Sequence, residues 1–254
     1  MKNVFEKLGI KAQYIDAVDA TNSIVRVLKE SQLVAKHPPC FRCGKDLCGC
    51  RNKELQPAQI ANWVSHMQAW NNIKLADNPG LHLICEDDIE FFDHSLDVLQ
   101  DTFSDPGLKT ALQSGFPCLL RLGWAWCDDH TLPLPATLST DLIKMANPCY
   151  AINGACAEVL LTGVTRFDTT SDIYINRVAS KGISHFTALP PIATDLSWSF
   201  GTFRSEIRPK AVRIEFLEQR LRDAKHQNDL VTAVKIQAEI DTEDIRLQAE
   251  MNSQ

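Results

Sequence analysis

Apolar and polar positions along this chain alternate with two different periods, and the changes of period divide it into elements. Between Gln56 and Ala76 the residues Ile60, Val64, Met67 and Ile73 recur along one helical face. Pro57 falls in the first turn, where a missing N–H is tolerated, so a long helix is predicted there, ended by Asn78-Pro79-Gly80. Shorter helical patterns cover Lys2 to Leu8, Ala20 to Glu30 with Thr21 or Asn22 near its start, His94 to Phe103, and Gly154 to Leu161. Strand patterns cover Gln13 to Ala17, Pro117 to Gly123 and Ile183 to Leu189. The alternation of helices with strands predicts an α/β fold, a mainly parallel sheet with helices on its faces.

One run carries more chemistry than the rest. Leu81-His82-Leu83-Ile84-Cys85 is apolar and stops at Glu86-Asp87-Asp88, which reads as a buried strand delivering acids to a sheet edge. Side chains on a strand alternate faces, so Glu86 and Asp88 are expected to project one way and Asp87 the other. Two carboxylates on one side suit Mg²⁺ or Mn²⁺, which prefer oxygen ligands and can grip a diphosphate. The same residues also fit a solvated acidic turn. In parallel sheets, ligands gather at the carboxyl ends of strands, where this triplet is expected to lie.

The C-terminal stretch has a different texture. From Ile207 onward the chain has one proline and no glycine, and it is rich in Glu, Arg, Lys, Gln, Ala and Leu. Two helices are predicted, broken near His226-Gln227-Asn228-Asp229 with Asp229 as N-cap of the second. Val212, Phe216 and Leu221 form one apolar stripe, and Val231, Val234, Ala238 and Ile240 the other. Such a hairpin either packs on the preceding domain or joins two copies into a homo-oligomer. The organisation read from the sequence is therefore a domain over residues 1–205 and a helical extension over 206–254.

Cysteine placement adds an insertion at residues 37–53. Cys40, Cys43, Cys48 and Cys50 follow a C-x₂-C-x₄-C-x-C pattern, with Gly44 and Gly49 letting the backbone curl around an ion. In a reducing compartment, four thiolates at that density read as a structural Zn²⁺ site; labile disulfides or a partial site using His37 are the alternatives. The other five, Cys85, Cys118, Cys127, Cys149 and Cys156, lie in apolar contexts and read as core thiols.

Composition narrows the function classes. The chain has 254 residues, 44% of them hydrophobic, enough for a sizeable core. A net charge of -6 excludes a dominant, non-specific attraction to nucleic acid. Lys36, Arg42, Lys45, Arg51 and Lys53 form a local basic cluster, with only Phe41 beside them for base stacking, so a nucleic-acid knuckle is not favoured. No apolar run approaches the roughly 20 residues of a spanning helix, and residues 1–7 lack the apolar stretch of a signal peptide. A cytoplasmic setting is the default expectation.

Several blocks in order resemble family 25 glycosyltransferases, the group that includes lipopolysaccharide and collagen galactosyltransferases. They are Leu8-Gly9-Ile10 through Ala17-Val18-Asp19-Ala20, the segment Leu55 to Trp70, the acidic run, and Leu120-Arg121-Leu122-Gly123. Asn147 to Leu161, Thr170-Ser171-Asp172-Ile173-Tyr174 and Leu189-Pro190-Pro191-Ile192 extend the likeness, which covers residues 5 to 200. The resemblance implies a GT-A-like fold that moves a sugar from a nucleotide donor, UDP-linked by expectation, to a hydroxyl of a glycan, protein or other acceptor, with inversion. It implies a donor-site Mn²⁺ or Mg²⁺ held by Glu86 and Asp88, with Asp87 at the donor ribose or sugar. Asp172 matches an acidic position of the family and is the expected general base, with Asp168 as second candidate; an N-cap role also fits Asp172.

Ser65 and His66 match the family's Ser-His pair, which the resemblance places near the donor, although a lone His on a partly apolar helix face also fits a packed, structural role. Tyr150 and Asn153 either line the acceptor cleft or close the turn before the Gly154 helix. The sequence departs from the family at three places. It starts in the helix that would follow the nucleotide-cradling first strand, so that strand is expected to be missing. Ala58-Gln59 replaces Gly-Glu, and Ala193-Thr194-Asp195 stands where a glutamine is common, which makes Asp195 a further cleft candidate. A binding protein on a degenerate transferase fold, using the zinc loop and the helical extension as contact surfaces, is the rival reading. For the cysteine loop, metal analysis of carefully reduced protein is expected to find about one zinc per chain, and chelation to lower thermal stability; zinc-free reduced protein would remove the site.

Overall fold

The computed structural model describes Phe5 and residues 11–35, 55–124, 132–140 and 146–196, and toward the C-terminus 217–218, 220–222, 224–226 and 229–251. The chain forms two units, Met1–Asp195 and Leu196–Gln254.

In the first unit the helices begin where the sequence supplies caps. Helix α1 (Ser23–Glu30) follows Asn22, whose side chain accepts from the Ile24 N–H at 3.0 Å. Helix α2 (Pro57–Lys74) carries Pro57 in its first turn, and Gln59 reaches back to accept from the Gln56 N–H at 2.8 Å. Its buried face is centred on Ile60, Trp63, Trp70 and Ile73, while Val64 and Met67 are half-buried. The two indoles take the centre because burying a side chain of that size contributes about 3 kcal/mol. Residues 11–19 form no strand: Tyr14 and Ile15 face solvent, and the Val18 N–H is satisfied by the Ser65 hydroxyl at 2.9 Å instead of by a ladder.

Strand β1 (His82–Cys85) is followed by Glu86, a turn at residues 87–88 and then β2 (Ile89–Phe91). Helices α3 (Ser95–Ser104) and α4 (Pro106–Gln113) come next, the second capped by Asp105, which accepts from the Leu108 N–H at 2.9 Å. Then come β3 (Cys118–Gly123), β4 (Thr137–Ser139), β5 (Cys149–Ile152), α5 (Gly154–Gly163), α6 (Ser171–Ala179), β6 (Ser184–Leu189) and β7 (Ala193–Asp195).

These strands form one sheet in the order β1-β5-β3-β6-β4, with β7 pairing β2 and the end of β3. The sheet is mixed, not mainly parallel. Among the described strands, β3 with β6 and β3 with β7 are the parallel pairs; β5 runs antiparallel to both strands it separates. The pairings nonetheless make β1, β3, β6 and β7 run the same way, so Cys85, Gly123, Leu189 and Asp195 end at one edge of the sheet. Strand β1 is half-buried along its length and pairs, among the described residues, with β5 alone, so it is an edge strand and not the buried strand its apolar run suggested.

Side chains alternate between two apolar layers, as strand geometry requires. Leu119, Tyr150 and Ile152 join one layer with α1, α2, α5 and α6, through Val25, Trp63, Trp70, Leu160 and Ile175. Leu120, Leu122, Cys149 and Ala151 join the other with Val98 of α3 and Leu108 of α4. Helices on both faces of a mixed, open sheet make this an α/β fold.

In the second unit, the described positions between residues 217 and 226 are helical, and α7 spans Leu230–Met251. Asp229 caps α7 as expected, accepting from the Thr232 N–H at 3.0 Å. Of the predicted stripe only Ile240 is buried, together with Ala233 and Ile236, which the stripe did not include; Val231 and Val234 are 69% and 70% exposed and Ala238 is exposed too. Apolar residues occupy so much of this helix's circumference that two stripes compete on periodicity. Leu221 is buried as expected, with Leu217 and Ala224; Val212 and Phe216 lie outside the described residues. Among the described residues no helix is long and apolar enough to cross a membrane.

Gly123 sits where the backbones of β3 and β7 come close, beside a register shift in the β3–β5 ladder. A Cβ there would lie 2.7 Å from the Ala193 carbonyl oxygen and 2.9 Å from Cys149 Cβ. A backbone carbonyl cannot swing aside, so Gly123→Ala is expected to cost about 1–3 kcal/mol, read as a lower urea midpoint; an unchanged midpoint would show that the junction is not tightly packed.

Candidate active site at the carboxyl edge of the sheet

The ladder of β1 ends at Cys85, and the Glu86 N–H donates to the Pro148 carbonyl at 2.9 Å, so the acidic turn starts beside the entry to β5. Glu86 follows the end of β1 and leads into a turn at Asp87 and Asp88. Asp87 is exposed, while Glu86 and Asp88 are half-buried. Asp195 is buried on β7 opposite Ile89, the residue after Asp88, so this acid arrives at the same turn from the far end of the chain.

Glu86 faces α2. Its Oε1 lies 3.4 Å from Asn62 Nδ2 and 3.4 Å from His66 Nε2. His66 is buried, and its Nδ1 lies 2.9 Å from the Tyr150 hydroxyl. That hydroxyl accepts from Trp70 Nε1 at 2.8 Å. An indole N–H only donates, so the phenol proton is available to His66 Nδ1, which leaves the His66 Nε2–H directed at the Glu86 carboxylate. Asn62 continues the chain, its Oδ1 accepting from the Ser171 hydroxyl at 2.6 Å. One polar network thus runs from Trp70 through Tyr150, His66, Glu86 and Asn62 to the first residue of α6.

Asp172 is the next residue of α6. The N-cap is Thr170, so Asp172 lies inside the first turn, and its Oδ2 accepts from the Ala146 N–H at 3.2 Å. Ala146 has φ 67°, a left-handed conformation uncommon for alanine. The same turn is gripped by Arg121, buried on β3, which donates to the Ala146 carbonyl at 3.0 Å and to Asn147 Oδ1 at 2.8 Å. Its other terminal nitrogen donates to Asn176, one helical turn after Asp172. Burial pulls the Arg121 pKa down to about 10, opposed by the nearby Asp172 carboxylate and Tyr150.

Other predicted site residues have different duties. The Ser65 hydroxyl accepts from Val18 and donates to the Ala61 carbonyl at 3.0 Å, tying residues 11–19 to α2. Asn153 lies at the opposite end of β5 from Tyr150 and caps α5, accepting from the Cys156 N–H at 2.9 Å and the Cys118 N–H at 3.1 Å. Asp168 pairs with Arg177 at 3.1 Å on the surface. The predicted zinc ligands Cys40, Cys43, Cys48 and Cys50 lie outside the described residues. Asn62, Arg121, Asn147 and Asn176 were not singled out as site residues from the sequence. Asn62 precedes His66 by four residues, the spacing that puts two side chains on one helix face, and Arg121 interrupts an otherwise apolar strand.

Among the described residues, no three His, Cys, Asp or Glu side chains cluster as a ready-made metal cage. No family model and no curated protein matches the chain.

Burial raises the pKa of several protonated groups in and around this site. The Tyr150 phenol and the Cys149 and Cys156 thiols are pushed well above their ordinary values, Cys118 to about 11 and Tyr174 to about 12. An unfolded chain releases thiol protons near 9.0 and phenol protons near 10.0, while the folded core keeps them. Above those values the unfolded state binds fewer protons, so stability falls as pH rises. The urea midpoint is expected to decline from about pH 8.5 to 10.5; a flat profile would mean these groups are not shielded in solution.

Proposed function

We propose that this chain is a glycosyltransferase of GT-A-like architecture, which uses a divalent metal to transfer a sugar from a nucleotide donor, UDP-linked by preference, to an acceptor hydroxyl with inversion. The observation that carries this reading is that Glu86, Asp88 and Asp195 all lie at the edge where β1 and β7 end, while Glu86 is linked through Asn62 to Ser171, the residue before Asp172. The ordered blocks that resemble family 25 enzymes support it.

The donor set fits the metal. Carboxylates are hard oxygen ligands, and Mg²⁺ or Mn²⁺ commonly takes only one or two from protein and the rest from phosphate and water. Asp88, with Glu86 or Asp195, would hold the ion, whose chemistry there is to offset charge on the departing diphosphate. Asp172 is the group that takes the acceptor proton: a carboxylate that accepts one backbone N–H keeps further lone pairs for a substrate hydroxyl. His66 and Tyr150 act as positioning residues, since they hold Glu86 in place from the core. The acceptor is a hydroxyl of a glycan, a protein or another molecule.

One observation favours a second reading, a degenerate binding protein on the same fold: Glu86 Oε1 is already engaged by both His66 and Asn62, as in a purely structural hydrogen-bond network.

Calorimetric titration of UDP with and without Mn²⁺ separates the two. The transferase reading expects Mn²⁺-dependent binding that weakens by more than about tenfold in Asp88→Ala with the thermal midpoint preserved. Binding that ignores both the metal and the substitution would favour the degenerate fold.

A further inference from the structure

We infer that Cys85 and Cys149 form a peroxide-oxidisable dithiol, a modification site that closes into a cross-strand disulfide beside the acidic turn. This inference stands on sheet geometry and holds whichever function the site serves.

The two residues are direct partners in the antiparallel β1–β5 ladder, with their sulfurs 3.7 Å apart. The Glu86 N–H donates to the Pro148 carbonyl, one residue beyond Cys85 and one before Cys149, so this is a pair without mutual hydrogen bonds. In such pairs the Cα atoms are about 4.5 Å apart, at the short end of the roughly 4.4–6.8 Å range that disulfides span. Rotation about Cα–Cβ bonds suffices to bring the sulfurs to bonding distance, about 2.0 Å. Both side chains also belong to the same face of the sheet, packed with the layer of Leu120 and Ile192.

Access differs between the two in the way the chemistry needs. Cys85 is half-buried and can meet a small oxidant, whereas Cys149 is fully buried behind it; Cys118 and Cys156 are buried too. The Cys85 sulfur, as thiolate, attacks one oxygen of a hydroperoxide: an S–O bond forms, the O–O bond breaks, and the alcohol or water leaves. The Cys149 sulfur then attacks the sulfenic sulfur, forming the S–S bond and releasing water that carries the thiol proton away. Two thiols and one hydroperoxide yield one disulfide, one alcohol (or water) and one further water.

The bond would join the residue before Glu86 to the residue before Tyr150. Strand alternation puts Tyr150 on the opposite face from Cys149, and there His66 meets both the Tyr150 hydroxyl and the Glu86 carboxylate. Oxidation therefore fixes the spacing of the two strands that present the network to α2.

The test treats the full chain with stoichiometric hydrogen peroxide, alkylates remaining thiols and maps peptides without reductant, with near-ultraviolet circular dichroism confirming the fold. The expected product links Cys85 to Cys149 with loss of two hydrogens, returns to two thiols with dithiothreitol, and is absent from Cys85→Ser. In Cys149→Ala, dimedone trapping of the Cys85 sulfenic acid is expected to rise several-fold over the unsubstituted protein. Folded protein in which Cys85 stays an alkylatable thiol, or advances to sulfinic acid while Cys149 stays free, would overturn the inference, as would equal dimedone labelling of the two proteins.

Discussion

Burying two indoles and two phenols around α2 obliges the fold to satisfy four polar tips in its core. Trp63 Nε1 donates to the Thr169 carbonyl at 2.7 Å, the Tyr174 hydroxyl to the Leu160 carbonyl at 2.7 Å, and Trp70 Nε1 to Tyr150 at 2.8 Å. An orphaned buried donor costs about 1–3 kcal/mol, so these bonds set where α2, α5, α6 and β5 can lie relative to one another. The rings interlock as well, Trp63 meeting Trp70 and Phe167 edge to face. His66 lies one helical turn before Trp70. Once Trp70 is pinned to Tyr150, His66 is carried to the same hydroxyl and, through its other nitrogen, to Glu86. The site's reach into the core is thus a consequence of how the aromatic layer is satisfied.

A second constraint organises the far side of the network. Arg121 carries its charge into the interior, a placement that costs several kcal/mol unless its donors are met. The Ala146 carbonyl, Asn147 and Asn176 meet them, which ties the entry to β5 and the middle of α6 to strand β3. Asp172 shares this arrangement: its carboxylate takes the Ala146 N–H while Arg121 takes the Ala146 carbonyl, and the two charges favour each other. The left-handed conformation of Ala146 makes both contacts possible, so local strain there is held by a charge on one side and a carboxylate on the other.

Much of the helical framework was legible in the sequence, because its signals are local. Pro57, Asn22, Asp229 and the Asn78-Pro79-Gly80 break mark ends that the structure keeps within a few residues. Strand direction was not legible. Period-two alternation is the same for parallel and antiparallel neighbours, and nothing local to Cys149–Ile152 says that β5 inserts between β1 and β3. Strands β2, β4 and β7 have three residues each, too short for any period to show. At the site, the acidic run nominated Glu86 by residue type, whereas His66, Tyr150 and Asp172 were nominated from blocks that resemble family 25 glycosyltransferases. Asn62 and Asn176 did not announce themselves, because an asparagine's role is fixed by its partners, and those are 24 and 55 residues away. Ser65 and Asn153 show the converse: polar side chains beside the site whose bonds go to backbone groups elsewhere.

The acidic run explains why the ladder breaks where it does. Three consecutive carboxylates continued in a strand would send at least one onto each face of the sheet, and both faces are covered by apolar layers. Burying an uncompensated carboxylate there costs far more than the few ladder hydrogen bonds forfeited by turning. The chain accordingly leaves β1 at Cys85, gives Glu86 to His66 and Asn62, lets Asp87 face water, and resumes at Ile89 against a different strand. That change of partner has a chemical consequence, because β7 is the strand that carries Asp195. The electrostatic cost that expels the triplet from the ladder is therefore also what brings a fourth carboxylate, distant by more than 100 residues in sequence, to the edge where the first three emerge.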